Sequence, residues 1–407
     1  MMINVIGLGY IGLPTALMLA SSGLNVVGTD INEDSVKKLN QGVLTFEEKG
    51  MKDVFEKALK NNIKFTTNYI KTNFYIVTVP TPYISTSKKL DPTYLISAVS
   101  TILEVCEKGS IIVVESTVSP GIIDEYIRPL IERKGFIIGE DVHLAHAPER
   151  IIPGNMIYEL VNNSRTIGAD ELKIAEKVSD VFKSFCKGEI VLTDIRTAEM
   201  SKVVENTFRD VNIAFANELA KICRVAGIDV YETIRISNKH PRVSILQPGP
   251  GVGGHCISVD PWFLIGDYPE ETRLITAARE VNDSMPSYVL SRIKEIMISN
   301  NIKDVSKVGL YGLTYKENVD DTRESPTLQL IERLEDNLSF SIKSYDPYVK
   351  NKITENQYFN FNDFLSEVEI VVIMVAHNHI KENKDMLKKH IILDTKNVFK
   401  DKDIEKL

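Results

Sequence analysis

Short apolar runs alternate with stretches whose apolar positions recur every three to four residues, and this alternation continues along nearly the whole chain. Residues 3–6, 25–29, 74–79 and 111–114 are runs of the buried-strand type. Between them, residues 12–22 and the stretch from Asp91 and Pro92 towards Val105 have helical character. Strands separated by helices predict a mostly parallel, doubly wound sheet. From Thr197 to about Ala226 neither glycine nor proline interrupts the chain. Within it Met200, Val203, Val204, Thr207, Phe208, Val211, Phe215, Leu219 and Ile222 recur at helical spacing. This predicts one helix longer than a small domain uses, of the kind that packs between domains or subunits. A second helical stretch covers about 272–300, where Pro286 predicts a kink or break. The strand–helix pattern then restarts with runs at 308–312, 339–346, 370–375 and 391–394, and a helix opening at Pro326. The expected fold class is α/β, with two Rossmann-like doubly wound domains joined by a central long-helix region. The expected boundaries are 1–195, 196–300 and 301–407.

A chain of 407 residues is too long for one ordinary core, which agrees with several domains. The net charge of −8 argues against a general nucleic-acid partner. No apolar run is long enough to span a bilayer, and a first strand at Ile3 leaves no room for a signal peptide. The four cysteines, Cys106, Cys186, Cys223 and Cys256, are scattered without a CxxC pair. Free thiols suit a reducing cytoplasm. His143 and His146 have HxxH spacing but no partner ligands nearby in the sequence, so no metal site is expected. The chain is thus expected to be cytoplasmic, without a nucleic-acid, membrane or metal partner.

Candidate chemistry begins at residues 7–12, GLGYIG, which follow a strand, open a helix and precede Asp30 by 18 positions from the last glycine. This is the dinucleotide fingerprint in its required context. Gly7 serves the tight turn, Gly9 the approach of a pyrophosphate, and Gly12 the packing of helix on strand. Asp30 would accept from a ribose 2′-hydroxyl and repel a 2′-phosphate, favouring NAD over NADP. Thr81 and Thr117 lie at strand exits, where ligands sit in such sheets, although either could instead cap a helix. Glu149 follows another strand. In the middle of the chain, residues 249–261 place four glycines in six positions before Cys256, with Asp260 four residues on. Such a loop presents a thiol to a ligand, or is a flexible loop carrying an inert cysteine. Lys202 and Asn206 are four apart on the long helix and share a face, for which solvation is the default. Lys316 and Arg323, after the strand at 308–312, would be anion partners of a second nucleotide site.

Taken together, these residues resemble the UDP-glucose/GDP-mannose dehydrogenase family. The carriers are GLGYIG at 7–12, VPTP at 79–82, ESTVSPG at 115–121, Pro148–Glu149, Lys202 with Asn206, GVGGHC at 251–256 with Asp260, and KENVDDTRESP at 316–326. The resemblance implies an NAD domain, a central dimerisation region and a C-terminal domain that holds the nucleotide of a UDP-sugar. It implies oxidation of a sugar C6 alcohol to a carboxylate in two steps, each using one NAD. Cys256 would attack the intermediate aldehyde, and Lys202 and Asn206 would stabilise the oxyanion. Glu149, Thr117 and Asp260 would position water and move protons. Gly7, Gly9, Tyr10, Ile11, Gly12, Asp30, Thr81, Thr117 and Arg323 would serve NAD. Glu149, Arg150, Lys202, Asn206, Gly253, His255 and Lys316 would contact the UDP-sugar. Arg242 would reach into the partner's site in a homodimer.

Two departures narrow the substrate. Pro153 stands where glucose-type members carry a second glutamate, and Val259 where they tend to carry lysine. PERIIPG with GVGGHCISVDP resembles the branch acting on UDP-N-acetylhexosamines, with UDP-N-acetyl-D-mannosamine the expected substrate. UDP-GlcNAc, UDP-GalNAc and UDP-glucose are the alternatives. Outside the family, a single-oxidation hydroxyacid dehydrogenase would need neither Cys256 nor a second α/β domain. A catalytically silent NAD-binding regulator would need none of Cys256, Lys202, Asn206 and Asp260.

Overall fold

A computed structural model describes residues 1–254, 256–337, 342–401 and 404–407. They form two compact units. The first comprises Met1–Glu205 and Trp262–Asp267, and the second Asn206–Pro261 and Tyr268–Leu407.

The first unit is built on an eight-stranded sheet in the order β3-β2-β1-β4-β5-β6-β7-β8. Its strands are β1 (Met2–Ile6), β2 (Asn25–Thr29), β3 (Lys64–Thr66), β4 (Phe74–Val77), β5 (Ser110–Val114), β6 (Val142–His146), β7 (Arg165–Ala169) and β8 (Ile190–Thr193). All pairings are parallel except β6 with β7. The order reverses between β1 and β4, so a crevice opens there at the carboxyl ends of the strands. Apolar residues of β1, β4 and β5 pack against the helices Gly12–Ser21, Met51–Lys60 and Leu172–Phe182 in one continuous core.

The second unit carries a six-stranded, wholly parallel sheet in the order β11-β10-β9-β12-β13-β14. These strands are β9 (Val308–Tyr311), β10 (Lys343–Tyr345), β11 (Gln357–Tyr358), β12 (Ile370–Ile373), β13 (Ile391–Asp394) and β14 (Glu405–Lys406). Alternate residues feed opposite faces. Val308, Leu310, Ile370 and Val372 meet the helices Pro326–Asn337 and Arg273–Ser299, whereas Tyr311, Val371 and Ile373 meet Phe361–Glu367. The predicted run at 339–346 falls partly on residues 338–341, outside those described.

The long helix runs from Ile195 to Ala226. Asp194 caps its start, accepting from Thr197 N at 2.9 Å and Thr197 Oγ1 at 2.6 Å. Gly227, at φ +68°, ends it in a left-handed turn that returns Ile228 N to Cys223 O at 2.8 Å. Pro286 does not break the second helix, which is continuous over Arg273–Ser299 with the proline buried inside it. Packing on that face outweighs the lost backbone bond. No helix among the described residues is long and apolar enough to cross a membrane.

Candidate active site

In the first unit the three fingerprint glycines are required by different neighbours. Gly7 has φ +89°, and a Cβ on it would lie 2.7 Å from Thr78 O. A Cβ on Gly12 would meet Gly7 O at 1.8 Å. Both are closed to any side chain by the fold itself. Gly9 is different: nothing lies within 4 Å of where its Cβ would be, so the backbone there faces open space. An approaching pyrophosphate needs that combination of a fixed turn and an open amide. The first turn of the helix Gly12–Ser21 carries no acidic side chain to repel it. Asp30 closes the cradle. Its Oδ2 accepts from Leu8 N at 2.6 Å and its Oδ1 from Asn32 N at 2.8 Å, and the residue is only half-buried. The carboxylate is thereby aimed from the end of β2 at the glycine turn. These residues fit NAD. Tyr10 and Ile11 are half-buried beside them, with the Tyr10 ring 4.5 Å from that of Phe46.

The strand exits of the same unit converge by hydrogen bonds that cap no helix. Thr81 Oγ1 donates to Thr117 O at 2.7 Å, joining the exits of β4 and β5. Glu149 is buried; its Oε1 accepts from Arg150 N at 2.6 Å and its Oε2 from Arg165 Nη2. Arg150 reaches Thr166 Oγ1 and Glu205 Oε1, each at 2.8 Å. His146 is wholly buried, and desolvation holds its imidazole neutral, with a pKa pulled down to about 3. Its Nδ1 lies 2.8 Å from Val114 O, and His143 Nδ1 lies 3.0 Å from Glu171 Oε1. The histidine pair thus serves the sheet.

In the second unit the glycines of the cysteine loop face protein more than open space. Cβ atoms on Gly253 and Gly254 would meet Glu324 O at 2.5 Å and the Tyr315 ring at 2.7 Å, and one on Gly251 would press on Pro326 and Pro286. Close passage over residues 315–326 is what demands glycine here, a reason invisible in the sequence. Gly254 N also donates to Arg323 O at 2.9 Å. Cys256 emerges exposed from this packed loop, in the turn before the helix Asp260–Asp267. Its carbonyl accepts from Val259 N at 3.1 Å and Asp260 N at 2.8 Å. His255 lies outside the described residues.

Three asparagines of the long helix fasten the loops beyond its C-terminal end. Asn206 Nδ2 donates to Asp260 Oδ2 at 2.6 Å. Asn212 donates to Ser244 O at 2.8 Å and accepts from Leu246 N at 2.9 Å. Asn217 Oδ1 accepts from Gly249 N at 2.8 Å. Lys202 and Asn206 are both buried, so the shared polar face is not a solvated one. Arg242 is exposed on the loop that Asn212 steadies. Lys316 is half-buried after β9, and Arg323 is 43% exposed with its guanidinium on the Asp321 carboxylate, Nη2 to Oδ2 at 2.6 Å.

The second sheet repeats the first unit's turn with a different outcome. Gly312 has φ +98°, and Leu313 N donates to Asp346 Oδ2 at 2.7 Å, as Leu8 N does to Asp30. Asp346, however, is buried and also accepts from Thr314, Tyr348 and Val349 backbone amides, with His377 Nε2 at 3.1 Å. Burial tends to raise its pKa, but His377 and those amides outweigh it and hold the carboxyl below its usual range. His377 Nδ1 accepts from Asn318 N at 2.9 Å, anchoring the segment that carries Lys316. The pair Asp346–His377, together with Asn212, Asn217 and Arg165, belongs to no motif in the sequence, whereas Asn206 is already a candidate there. Only the charge of Arg165 at the head of an apolar strand hinted at any of them.

Three models of the UDP-glucose/GDP-mannose dehydrogenase family match the chain: the NAD binding domain over residues 1–186, the central domain over 196–284 and the UDP binding domain over 309–401. The chain is 44% identical over 408 residues to UDP-N-acetyl-D-mannosamine dehydrogenase of Methanocaldococcus jannaschii, covering 98% of this chain and 92% of that one. It is 39% identical to NDP-N-acetyl-D-galactosaminuronic acid dehydrogenase of Ralstonia nicotianae, with 99% and 97% covered. The solved UDP-D-ManNAc dehydrogenase of Pyrococcus horikoshii is similar with a TM-score of 0.92 at 39% identity, covering 98% of this chain and 96% of that one.

Proposed function

The chain belongs to the UDP-glucose/GDP-mannose dehydrogenase family and is an NAD-dependent UDP-sugar dehydrogenase, and on that premise we propose that it oxidises the C6 alcohol of UDP-N-acetyl-D-mannosamine to the uronate in two steps. The observation that carries the substrate reading is the 44% identity, over 98% of the chain, to an enzyme named for that sugar. Pro153 and Val259, where glucose-type members differ, support it. UDP-N-acetyl-D-galactosamine is a second reading, favoured by the galactosaminuronate relative at 39% identity.

The glycine turn and Asp30 would hold NAD, which when bound would supply the hydride acceptor for each oxidation. The first oxidation leaves an aldehyde. The Cys256 thiolate adds to its carbonyl carbon, and the oxygen takes the negative charge. The role assigned to the Lys202 ammonium group and an Asn206 amide hydrogen is to stabilise that oxyanion, help of a kind that mutagenesis values at roughly 3–4 kcal/mol. Loss of hydride turns the thiohemiacetal into a thioester. Water then adds to the thioester carbon, the carbon–sulfur bond breaks, and the carboxylate leaves while the thiol is regenerated. Thr117, Glu149 and Asp260 place that water and handle its proton. Thr81 and Arg323 serve NAD; Arg150, Gly253, His255 and Lys316 hold the UDP-sugar.

The enzyme acts as a homodimer. Val204, Phe208, Phe215 and Ile222 lie exposed along one stripe of the long helix, an apolar surface that a second copy would cover. Arg242, exposed on its fastened loop, reaches the partner's substrate.

A panel of UDP-ManNAc, UDP-GalNAc, UDP-GlcNAc, UDP-glucose and GDP-mannose, scored by kcat/KM and by NADH released per sugar, tests this function. UDP-ManNAc should be preferred over UDP-glucose by up to about 10⁴, because a site built to bond the N-acetyl group strands polar atoms when it is absent. Two NADH should appear per sugar. A preference for UDP-glucose overturns the substrate, and one NADH per sugar overturns the two-step course.

A further inference from the structure

Immediately after Thr81 the chain doubles back over residues 82–91 as a hairpin. Tyr83 pairs with Leu90, while Ile84 N donates to Lys89 O and Asp91 N to Pro82 O, each at 2.8 Å. Near its tip Lys88 sits at φ +61°, a conformation that persists only where the surroundings over-determine it. Those surroundings are the helix Asp260–Asp267, whose residues from Trp262 onward pack within the first unit. Trp262 and Gly266 are four apart and share a face. Lys88 Nζ stands over the Trp262 ring, 4.3 Å from its centroid. Lys88 O occupies the space beside Gly266, where a Cβ would come within 2.6 Å of it. Next to this contact Ser119, wholly buried in the loop that carries Thr117, donates from its Oγ to Asp267 Oδ2. Lys89 Nζ lies 3.7 Å from Asp267 Oδ1 but is 58% exposed, so that pair adds little.

We propose that the hairpin and Ser119 form a strap on this helix, which makes Lys88, Ser119 and Asp267 positioning residues for Asp260 and Cys256. Asp260 is the first residue of the same helix, and its N–H, with that of Val259, closes the turn on Cys256 O. The helix has eight residues, so its two ends are only about 12 Å apart along a stiff hydrogen-bonded backbone. Seating its last turn therefore also fixes its first residue and the turn before it. A reacting group displaced by about 1 Å can lose about a hundredfold in rate. The strap thus acts on kcat, through the thiol and the carboxylate, and leaves binding alone. This inference rests on the reading of Cys256 and Asp260 as residues that act on the substrate.

Trp262 is the single tryptophan of the chain, so the intrinsic fluorescence of the whole protein reads the strap directly. Ser119→Ala and Asp267→Ala, each first shown to be folded by its melting curve, should shift that emission to longer wavelength. Each should also lower kcat for NADH release by about tenfold or more, with KM for the UDP-sugar and for NAD unchanged. Asp267→Asn keeps an acceptor for Ser119 and should retain wild-type kcat and emission. Ser119→Ala combined with Asp267→Ala should lose no more than the worse single variant. Lys88→Gly relieves the φ +61° backbone and removes the ammonium over the ring; it should change the emission and lower kcat by about twofold to fivefold. Wild-type kcat in Ser119→Ala, multiplicative losses in the double variant, or an Asp267→Asn as impaired as Asp267→Ala would each overturn the strap. If Ser119→Ala does not fold, Lys88→Gly decides, and wild-type kcat and emission there overturn it equally. A wild-type chain that forms no NADH from any UDP-sugar would instead overturn the proposed function, while the emission of the variants still reports whether the helix is strapped.

Discussion

Asn206 and Asp260 are joined by a 2.6 Å hydrogen bond that ties the long helix to the residue whose own N–H closes the turn on Cys256. Both side chains are buried. Asn206→Ala should therefore destabilise the protein by roughly 1–3 kcal/mol, the usual cost of removing a partner from a buried polar group. It should also change the rate at which Cys256 is alkylated in the native protein. Denaturant melts with iodoacetamide kinetics check both; unchanged alkylation would separate the bond from the thiol.

Cys256→Ser should abolish release of the second NADH, because serine does not reproduce the sulfur adduct on which the second oxidation depends. Cys186 and Cys223 are buried, and serine there should cost only packing. Stopped-flow counting of NADH per sugar is the measurement. Two equivalents from Cys256→Ser at the wild-type rate would remove the thiol from the mechanism.

Asp30→Ala should erode the preference for NAD over NADP by about tenfold or more, since it deletes a charged acceptor and the repulsion of a 2′-phosphate. It also releases Leu8 N in the glycine turn, so KM for NAD should rise as well. Steady-state kinetics with both dinucleotides decide this.

Glu199 gives a pH dependence with a definite sign. It is fully buried and accepts from Gly121 N at 2.6 Å and Ile123 N at 3.2 Å. Desolvation nevertheless pushes its carboxyl up to about 7, against those two amides. The folded state then binds the proton more tightly than the unfolded state, so its contribution to stability is full below about 4.5 and falls as pH rises to about 7. Glu199→Gln should flatten that slope and gain on the wild type by a few kcal/mol at pH 8. Melting curves from pH 5 to pH 8 test it, and parallel curves for the two proteins would contradict it.

Phe208→Asp with Phe215→Asp should give a monomer, by placing two charges on the exposed apolar stripe. Sedimentation velocity reads the state, and activity should fall with the dimer if Arg242 serves the partner's site. A fully active monomer would refute both statements.

Local pattern made part of this protein legible in the sequence. Short, mostly apolar runs rich in β-branched residues and bounded by turn residues read as strands buried on both faces, so the principal parallel strands β1, β4, β5, β9, β12 and β13 are legible in local pattern. The long helix follows from thirty residues without glycine or proline, and the fingerprint from glycines whose spacing a turn imposes. Cys256 and Asp260 could be singled out because their neighbours are unusual. Tertiary structure alone decided the rest, because it concerns partners far apart in sequence. Pro286 stays inside its helix through burial, which spacing cannot reveal. Gly253 and Gly254 are needed for Tyr315 and Glu324, some sixty to seventy residues on. Asp30 and Asp346 each receive a glycine-turn amide, yet the first is half-exposed and open to a ribose while the second is buried under His377. Glu149 reads in sequence as a carboxylate at a strand exit. Only the antiparallel placement of β7 beside β6 brings Arg165 against it, and so makes it half of a buried ion pair.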